Sequence, residues 1–128
     1  MIILDEHGYD KIAIGDPVPD PNIGKRIAPS VGFAINDNEG FERSGLGFTP
    51  DNNRVVWGLD SPQGSEGVTL SILEDGSTGM SLTSGQNRIY VGSAPANGLL
   101  TELPEPFNGV LIRDSSGITN KISSFDKK

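Results

Sequence analysis

The stretch Gly32-Phe33-Ala34-Ile35-Asn36-Asp37-Asn38-Glu39-Gly40 decides the fold of this chain. Its first half is apolar and partly β-branched, which favours an extended strand. Asp37 and Gly40 follow, and both are turn residues. An aspartate side chain accepts hydrogen bonds from the backbone of a turn, and glycine reaches positive φ without strain. The stretch therefore predicts one β-strand followed by a tight turn.

The same strand-and-turn pattern returns at three further places. Residues 109–117 repeat it with identical spacing, residues 67–76 repeat it with one residue more, and residues 2–8 form a copy without the leading glycine. These copies place an aspartate and a glycine at each turn, which are Asp5 and Gly8, Asp37 and Gly40, Asp75 and Gly76, and Asp114 and Gly117. We interpret these eight residues as structural turn positions.

A second motif consists of a basic residue, an apolar residue, any residue, an apolar residue and a glycine. It occurs at 11–15, 54–58 and 88–92. The glycine-led copies begin at Gly32 and Gly67, which are 35 residues apart. We therefore predict a single all-β repeat domain over 1–128, built on a unit of about 35 residues. Its parts are a partial copy at 1–15, full copies at 32–66 and 67–100, a partial copy at 109–122 and a tail at 123–128.

The fold class that follows is all-β, with mostly antiparallel hairpin repeats. Strands are predicted at 33–37, 42–48 and 53–59 in the first full copy, and at 68–73, 78–83 and 87–92 in the second. The proline-rich stretch 16–24 indicates an extended connector. Three ways of arranging the hairpins remain open from the sequence: a closed barrel, a sandwich or a short solenoid.

Composition excludes several classes of function. The 128-residue chain has no cysteine, which excludes disulfides, thiol catalysis and thiolate metal sites. Its net charge of −7 argues against binding to nucleic acid or to anionic lipid. No segment approaches the roughly 20 apolar residues of a membrane-spanning helix. The first residues, Met1 to Asp5, lack the basic start and the long apolar run of a signal peptide.

The spacing of the turns resembles a group of uncharacterised bacterial proteins. Those proteins carry an N-terminal membrane anchor followed by repeated D-x-x-G-x-x-[RK] hairpins, and the pattern occurs here from Asp5 to Lys11 and from Asp37 to Arg43. The last copy departs from it, because Asn120 stands where a basic residue is expected and Lys121 comes one position late. The resemblance implies an extracytoplasmic, membrane-tethered location through an anchor absent from this chain. It implies no activity.

Candidate sites are few. His7 lies in a predicted turn, where a solvated histidine is expected, and no nucleophile motif accompanies it. The acidic turns lack the spacing of known calcium loops, so neither a metal nor a cofactor is predicted. Asp60 and Glu66 flank one loop and are the candidate carboxylate pair for catalysis. Trp57 and Tyr90 are the candidate ligand-binding residues, but Val91 is the counterpart of Trp57, so the two rings are expected on opposite faces.

The function favoured by these observations is a non-enzymatic structural or protein-interaction module. A module that binds carbohydrate or another small molecule through Trp57 or Tyr90 is the alternative, and an enzyme that uses carboxylates alone is the third. Small repeat units cannot each bury an apolar face alone. Self-association would enlarge the core, so we expect a homo-oligomer, either a trimer or a dimer, with another protein as the alternative partner.

Overall fold

The computed structural model describes residues 1–126 and is all-β, with no helix in that range. Lys127 and Lys128, the end of the predicted tail 123–128, lie outside the described residues. The ten strands are β1 (Ile2–Leu4), β2 (Asp10–Gly15), β3 (Val31–Asn36), β4 (Glu42–Thr49), β5 (Arg54–Asp60), β6 (Glu66–Ile72), β7 (Thr78–Ser84), β8 (Asn87–Ala94), β9 (Phe107–Asp114) and β10 (Gly117–Ser123). The six strands predicted in the two full copies are confirmed to within about two residues at each end.

The chain divides into two compact units at the junction of Glu66 and Gly67. This junction coincides with the predicted boundary between the two full copies. In each unit the strands follow one another in sequence order, and each pairs antiparallel with its neighbour in the chain. Each unit is thus a β-meander, and over residues 1–126 neither sheet closes on itself as a barrel.

One type of turn builds several of the hairpins. In the first turn Asp5 N donates to Tyr9 O, and Gly8 N donates to Asp5 O. In the turn between β3 and β4, Asp37 N donates to Phe41 O and Gly40 N donates to Asp37 O in the same way. The aspartate at the start of each turn also accepts two backbone N–H bonds through its side chain. Gly8 and Gly40 close these turns at φ values of 83° and 95°.

These two glycines provide a matched comparison. An alanine Cβ at Gly40 would lie 2.9 Å from the Cβ of Asn22, whereas at Gly8 it would meet nothing within 4 Å. Both substitutions carry the same cost of positive φ, about 1 kcal/mol. We expect Gly40→Ala to lower the free energy of unfolding by about 1 kcal/mol more than Gly8→Ala, because only Gly40→Ala also displaces the connector. Urea unfolding of the two variants measures the difference, and equal losses would mean that the connector does not pack against this turn.

In unit 1 the connector of residues 16–30 covers one face of the sheet. The covered face carries small residues, since Ala13, Ala34, Gly45 and Gly58 are paired in one row across β2 to β5. Val18 packs against Ala13 and Ala34, and all three are buried. Small side chains let the connector approach the sheet closely, so this face has a thin core.

In unit 2 the connector of residues 95–106 covers the equivalent face with larger side chains. Its Leu103 packs with Tyr90, Phe107 and Leu111 in one buried cluster. The rings of Tyr90 and Phe107 lie 6.0 Å apart at their centroids. This cluster is the main apolar core of unit 2.

The two connectors leave and rejoin their sheets at equivalent glycines. Gly15 is the register partner of Gly32, and Gly92 is the register partner of Gly109. Residues 16–31 separate the first pair and residues 93–108 the second, so the two insertions have equal length. Residues 15–40 therefore correspond to residues 92–117 in the placement of their glycines and the length of their connectors. This correspondence spans a longer distance along the chain than the predicted unit of about 35 residues.

Candidate functional site

The face of unit 1 opposite the connector carries the large apolar side chains. Alternation along each strand places Ile14, Phe33, Leu46 and Trp57 in one row across β2 to β5, because they are direct register partners. The neighbouring rows add Ile35 with Leu59, and Phe48 with Val55. We call this surface the apolar face of unit 1. Its exposed members are Ile14, Ile35, Leu46, Phe48, Val55, Trp57 and Leu59.

This face is open, and it carries no charge across β3, β4 and β5. The exposed fractions of its seven large residues run from 37% for Leu46 to 46% for Trp57 and Leu59. The positions of β3, β4 and β5 that share the face also include Ser44, and none of them is acidic or basic. Scattered exposed apolar residues are normal on a soluble protein, but a contiguous apolar patch marks an interaction surface.

Unit 2 has a comparable surface. We call it the apolar face of unit 2, and its exposed members are Leu70, Ile72, Leu82, Ile89, Val91, Ile112 and Ile122. Leu82, Ile89 and Ile112 are register partners on neighbouring strands and line a shallow groove of about 430 Å³, together with parts of Arg88, Arg113 and Asp114. The basic residues Arg88 and Arg113 alternate with these positions and therefore point to the covered face.

The structure separates the two candidate ligand-binding residues. Trp57 is 46% exposed on the apolar face of unit 1, and its Nε1 donates to Ser44 Oγ at 3.2 Å. Tyr90 is only 2% exposed, and its hydroxyl donates to the carbonyl of Thr78 at 3.0 Å. Burial also raises the pKa of Tyr90. The ring of Tyr90 therefore has no free surface for a ligand, and Trp57 alone remains from that pair.

The remaining members of both apolar faces were not singled out from the sequence. The signal that locates them is the alternation in β4 and β5, where Leu46, Phe48, Val55, Trp57 and Leu59 all fall on one face. That signal does not tell which face the connector covers, because alternation only sorts the residues of a strand into two faces.

The D-x-x-G-x-x-[RK] spacing has a structural explanation in unit 1. Lys11 Nζ lies 3.5 Å from the carboxylate of Asp5 in its own turn, and donates to Asp37 O at 2.8 Å in the next turn. Arg43 repeats this arrangement, lying 3.9 Å from the carboxylate of Asp37 and donating to Asp60 O at 2.9 Å. Each basic residue thus joins its own turn to the following one, which is a structural role.

In the last copy of the motif the basic residue is displaced, and the aspartate and the lysine make different contacts. Asp114 accepts hydrogen bonds from the backbone N–H and the hydroxyl of Ser116, and these lower its pKa. Lys121, which comes one position late, pairs with Glu105 of the connector at 2.6 Å. Gly117 follows with a φ of 117°. The altered spacing therefore redirects the lysine from the turn to the connector.

A carboxylate–arginine cluster lies on the covered face of unit 1. Glu42 pairs with Arg26 at 3.0 Å. Burial raises the pKa of Glu42 and of Asp60. The negative charges of Asp60 and Glu66 raise the pKa of Glu42 further. The positive charge of Arg26 acts to lower the pKa of both Glu42 and Asp60. The predicted pair Asp60 and Glu66 is therefore part of this larger group. A carboxyl with a raised pKa is a possible general acid.

The surroundings of this cluster leave little room for a substrate. A Cβ added at Gly45 would lie only 2.5 Å from Glu42 Oε1, so the carboxylate of Glu42 rests directly on the sheet. The guanidinium of Arg26 occupies one side of it. Within residues 1–126, no group of three or more histidine or acidic side chains is arranged to hold a metal ion. His7 lies on the surface and is 3.5 Å from Glu6.

Asp75 ties the connector of unit 2 to the turn between β6 and β7. Its carboxylate accepts bonds from Ser77 N, Ser77 Oγ and Leu99 N at 2.8 to 2.9 Å. Burial of this carboxyl acts to raise its pKa, but the donors from Leu99 and Ser77 outweigh that effect and lower it below 3.8. A lowered pKa means that the ionised form is favoured by folding.

The linkage predicts a direction for the pH dependence. The stabilisation from Asp75 is complete above its unfolded pKa of about 3.9 and is lost as the pH falls through the lower folded value. We expect the melting temperature of the wild type to exceed that of Asp75→Asn at pH 7, and the difference to shrink as the pH is lowered from 5 towards 2. Thermal melts of both proteins across this range measure it, and a difference that grows in acid would contradict the assignment.

No protein-family model matches the chain, and no curated protein or solved structure matches it. Among residues 1–126 there is no helix of the length and apolarity needed to cross a membrane. The assignment of function therefore depends on the geometry of the two units.

Proposed function

We propose that this chain is a non-enzymatic structural module that associates with copies of itself through the apolar face of unit 1. The observation that carries the proposal is the row Ile14, Phe33, Leu46 and Trp57, which crosses four strands on a face whose positions in β3, β4 and β5 are uncharged. Burial of such side chains stabilises association by about 25 cal/mol for each Å² removed from water. Tryptophan is also among the residues that contribute most at interfaces.

The surroundings of Trp57 favour a protein surface over a sugar. A sugar ring that stacks on an indole also needs polar groups for its hydroxyls, since unpaired buried hydroxyls are costly. Ser44 is the polar residue beside Trp57 on this face, and its Oγ already accepts a hydrogen bond from Trp57 Nε1. An apolar partner leaves no such group unpaired. A second copy offers the same uncharged surface.

Intrinsic fluorescence tests this proposal directly, because Trp57 is the only tryptophan of the chain. We expect its emission to shift to shorter wavelength as the protein concentration rises from about 0.1 to about 50 µM, which spans micromolar association. Addition of a glycan panel to dilute protein should leave the emission unchanged. A shift with a glycan and none with concentration would contradict the proposal.

A control variant places the tryptophan elsewhere. Phe125 is 59% exposed and lies outside both apolar faces. The double variant Trp57→Phe with Phe125→Trp should keep the association but lose the concentration-dependent shift. A shift of equal size in this variant would show that the signal reports aggregation in general rather than burial at the apolar face of unit 1.

A further inference from the structure

We propose that the connector of unit 1 is a proton-linked strap, which closes more tightly on the sheet when Glu42 takes up a proton and donates a hydrogen bond to Asn36 Oδ1. The proposal concerns the covered face of unit 1. It therefore does not depend on association through the opposite face, and the two proposals can fail separately. It is carried by the thin core under the connector, the buried oxygen of Asn36 and the charges around Glu42.

The connector of unit 1 buries little apolar surface. Val18 is buried against Ala13 and Ala34, whose side chains are small. A second point of attachment is the pair of Arg26 with Glu42, at 3.0 Å between the guanidinium and the carboxylate. A segment with few buried apolar contacts opens locally at low cost. A change at this charged pair is therefore expected to alter how often the connector opens.

Asn36 presents a buried acceptor beside Glu42. It is 5% exposed, and its Oδ1 accepts no hydrogen bond within residues 1–126. Its amide nitrogen donates to Asp10 O of β2 at 3.3 Å, so the amide oxygen is turned towards β4, the neighbour on the other side. Glu42 is the register partner of Asn36 on β4, which places their Cβ atoms about 5 Å apart. A protonated carboxyl group supplies the missing donor, whereas a carboxylate has none.

The charged groups around Glu42 come from three elements. Arg26 of the connector is the cation, and the negative groups are Asp60 of β5 and Glu66 at the start of β6. Arg43, the neighbour of Glu42 on β4, donates to the carbonyl of Asp60 instead. Burial raises the pKa of Glu42, and the charges of Asp60 and Glu66 raise it further, against the opposing effect of Arg26.

These effects determine the direction of the pH dependence. When the connector opens, Glu42 becomes solvated and its pKa returns towards the ordinary value, so the closed state binds more protons than the open state. The tightening is therefore complete below about pH 4.3, the pKa of a solvated glutamate, and is lost as the pH rises through the higher value of the closed state. While Glu42 is neutral, Arg26 keeps Asp60 as its opposite charge.

Hydrogen exchange followed by mass spectrometry at pH 5.0 and pH 7.5 tests the proposal. The reporting peptides contain Val18 and Ile23, whose N–H groups donate to backbone carbonyls. After correction for the intrinsic rate at each pH, we expect these peptides to exchange at least about threefold more slowly at pH 5.0. Peptides from the connector of unit 2 are the internal control. They should be equally protected at both pH values, because the lowered pKa of Asp75 lies below this range.

Glu42→Gln separates a proton site from a simple ion pair. Its side-chain amide is neutral at every pH and can donate to Asn36 Oδ1. We expect the connector of unit 1 to exchange slowly at both pH values in this variant. Glu39→Gln, at an exposed turn position, is the matched control and should behave as the wild type does. Both variants retain His7, so a pH dependence caused by that residue would persist in Glu42→Gln.

Faster exchange of the connector in Glu42→Gln than in the wild type at pH 7.5 would show that the ion pair holds it, and would overturn the proposal. Wild-type exchange that does not slow at pH 5.0 would overturn it as well. If Glu42→Gln does not fold, an NMR titration of the carboxyl carbons in the wild type decides the question. The proposal requires a pKa of Glu42 above the ordinary value, and a pKa at or below that value contradicts it.

Discussion

Gly92→Ala is expected to lower the free energy of unfolding of unit 2 by about 3 kcal/mol or more. A Cβ at Gly92 would lie 2.2 Å from Thr78 O, 2.7 Å from Gly79 Cα and 2.7 Å from the hydroxyl of Tyr90. Two of these three contacts are with backbone atoms of β7, which cannot move without breaking the pairing of β7 with β8. The side chain of Tyr90, which lies against Gly79 and Gly92, would also be displaced.

Gly58→Ala is the matched control for this prediction. Gly58 also lies within a strand, but a Cβ there would meet only Asp60 Oδ1, at 3.7 Å. That is an ordinary contact, so we expect the free energy of unfolding to change by no more than about 0.5 kcal/mol. A slight increase would follow from the less flexible unfolded chain of the alanine variant. Urea unfolding followed by circular dichroism measures both variants. Similar losses at the two positions would show that Gly92 is not in close contact with β7 and Tyr90.

Phe107→Ala should have the second large effect. Phe107 is fully buried at the start of β9 and packs with Tyr90, Leu103 and Leu111. Removal of a buried phenylalanine ring typically costs 3–5 kcal/mol, a large part of the 5–15 kcal/mol that stabilises an ordinary domain. We expect unit 2 to be partly unfolded in this variant at 37 °C.

Phe125→Ala serves as the control for the loss of a phenylalanine ring. Because Phe125 is 59% exposed, its removal should cost less than about 1 kcal/mol. Thermal melts of the two variants compare the costs. A loss at Phe107 no larger than that at Phe125 would mean that the buried cluster is not the core of unit 2.

Local chemistry made the strands and turns predictable from the sequence. Val55-Val56-Trp57 and Ile89-Tyr90-Val91 favour strands wherever they are placed, and Asp37 with Gly40 specifies a turn without help from distant residues. Trp57 and Tyr90 are offset by one position in the repeat, and the sequence therefore also predicted that their rings lie on opposite faces. The structure agrees, since one ring is exposed and the other is buried.

Features that depend on distant contacts were not predictable in the same way. The pairing of Glu42 with Arg26 joins β4 to the connector, and no local pattern marks it. Closure was left open because alternation fixes which residues share a face but not how many strands a sheet contains. The close approach at Gly92 likewise depends on where Tyr90 lies, which requires the register of β7 and β8.

The meaning of the basic residue in the turn motif also required the structure. The sequence showed that Lys11 and Arg43 follow their aspartates at a fixed distance, but not that each reaches the next turn. The contacts of Lys11 with Asp37 O and of Arg43 with Asp60 O show that the motif links successive hairpins. A repeat of this kind therefore stabilises the junctions of the meander as well as each single turn.

Thiol labelling at two adjacent positions of β3 tests the central claim most directly, that one face is covered by the connector and the other is free to associate. The chain has no cysteine, so Ala34→Cys and Ile35→Cys each carry a single thiol. Ala34 is 2% exposed on the covered face, and Ile35 is 42% exposed on the apolar face of unit 1. The account predicts slow labelling of Ala34→Cys at every protein concentration, and fast labelling of Ile35→Cys in dilute protein that slows as the concentration rises. Equal rates at the two positions, or a rate at Ile35→Cys that does not change with concentration, would contradict it.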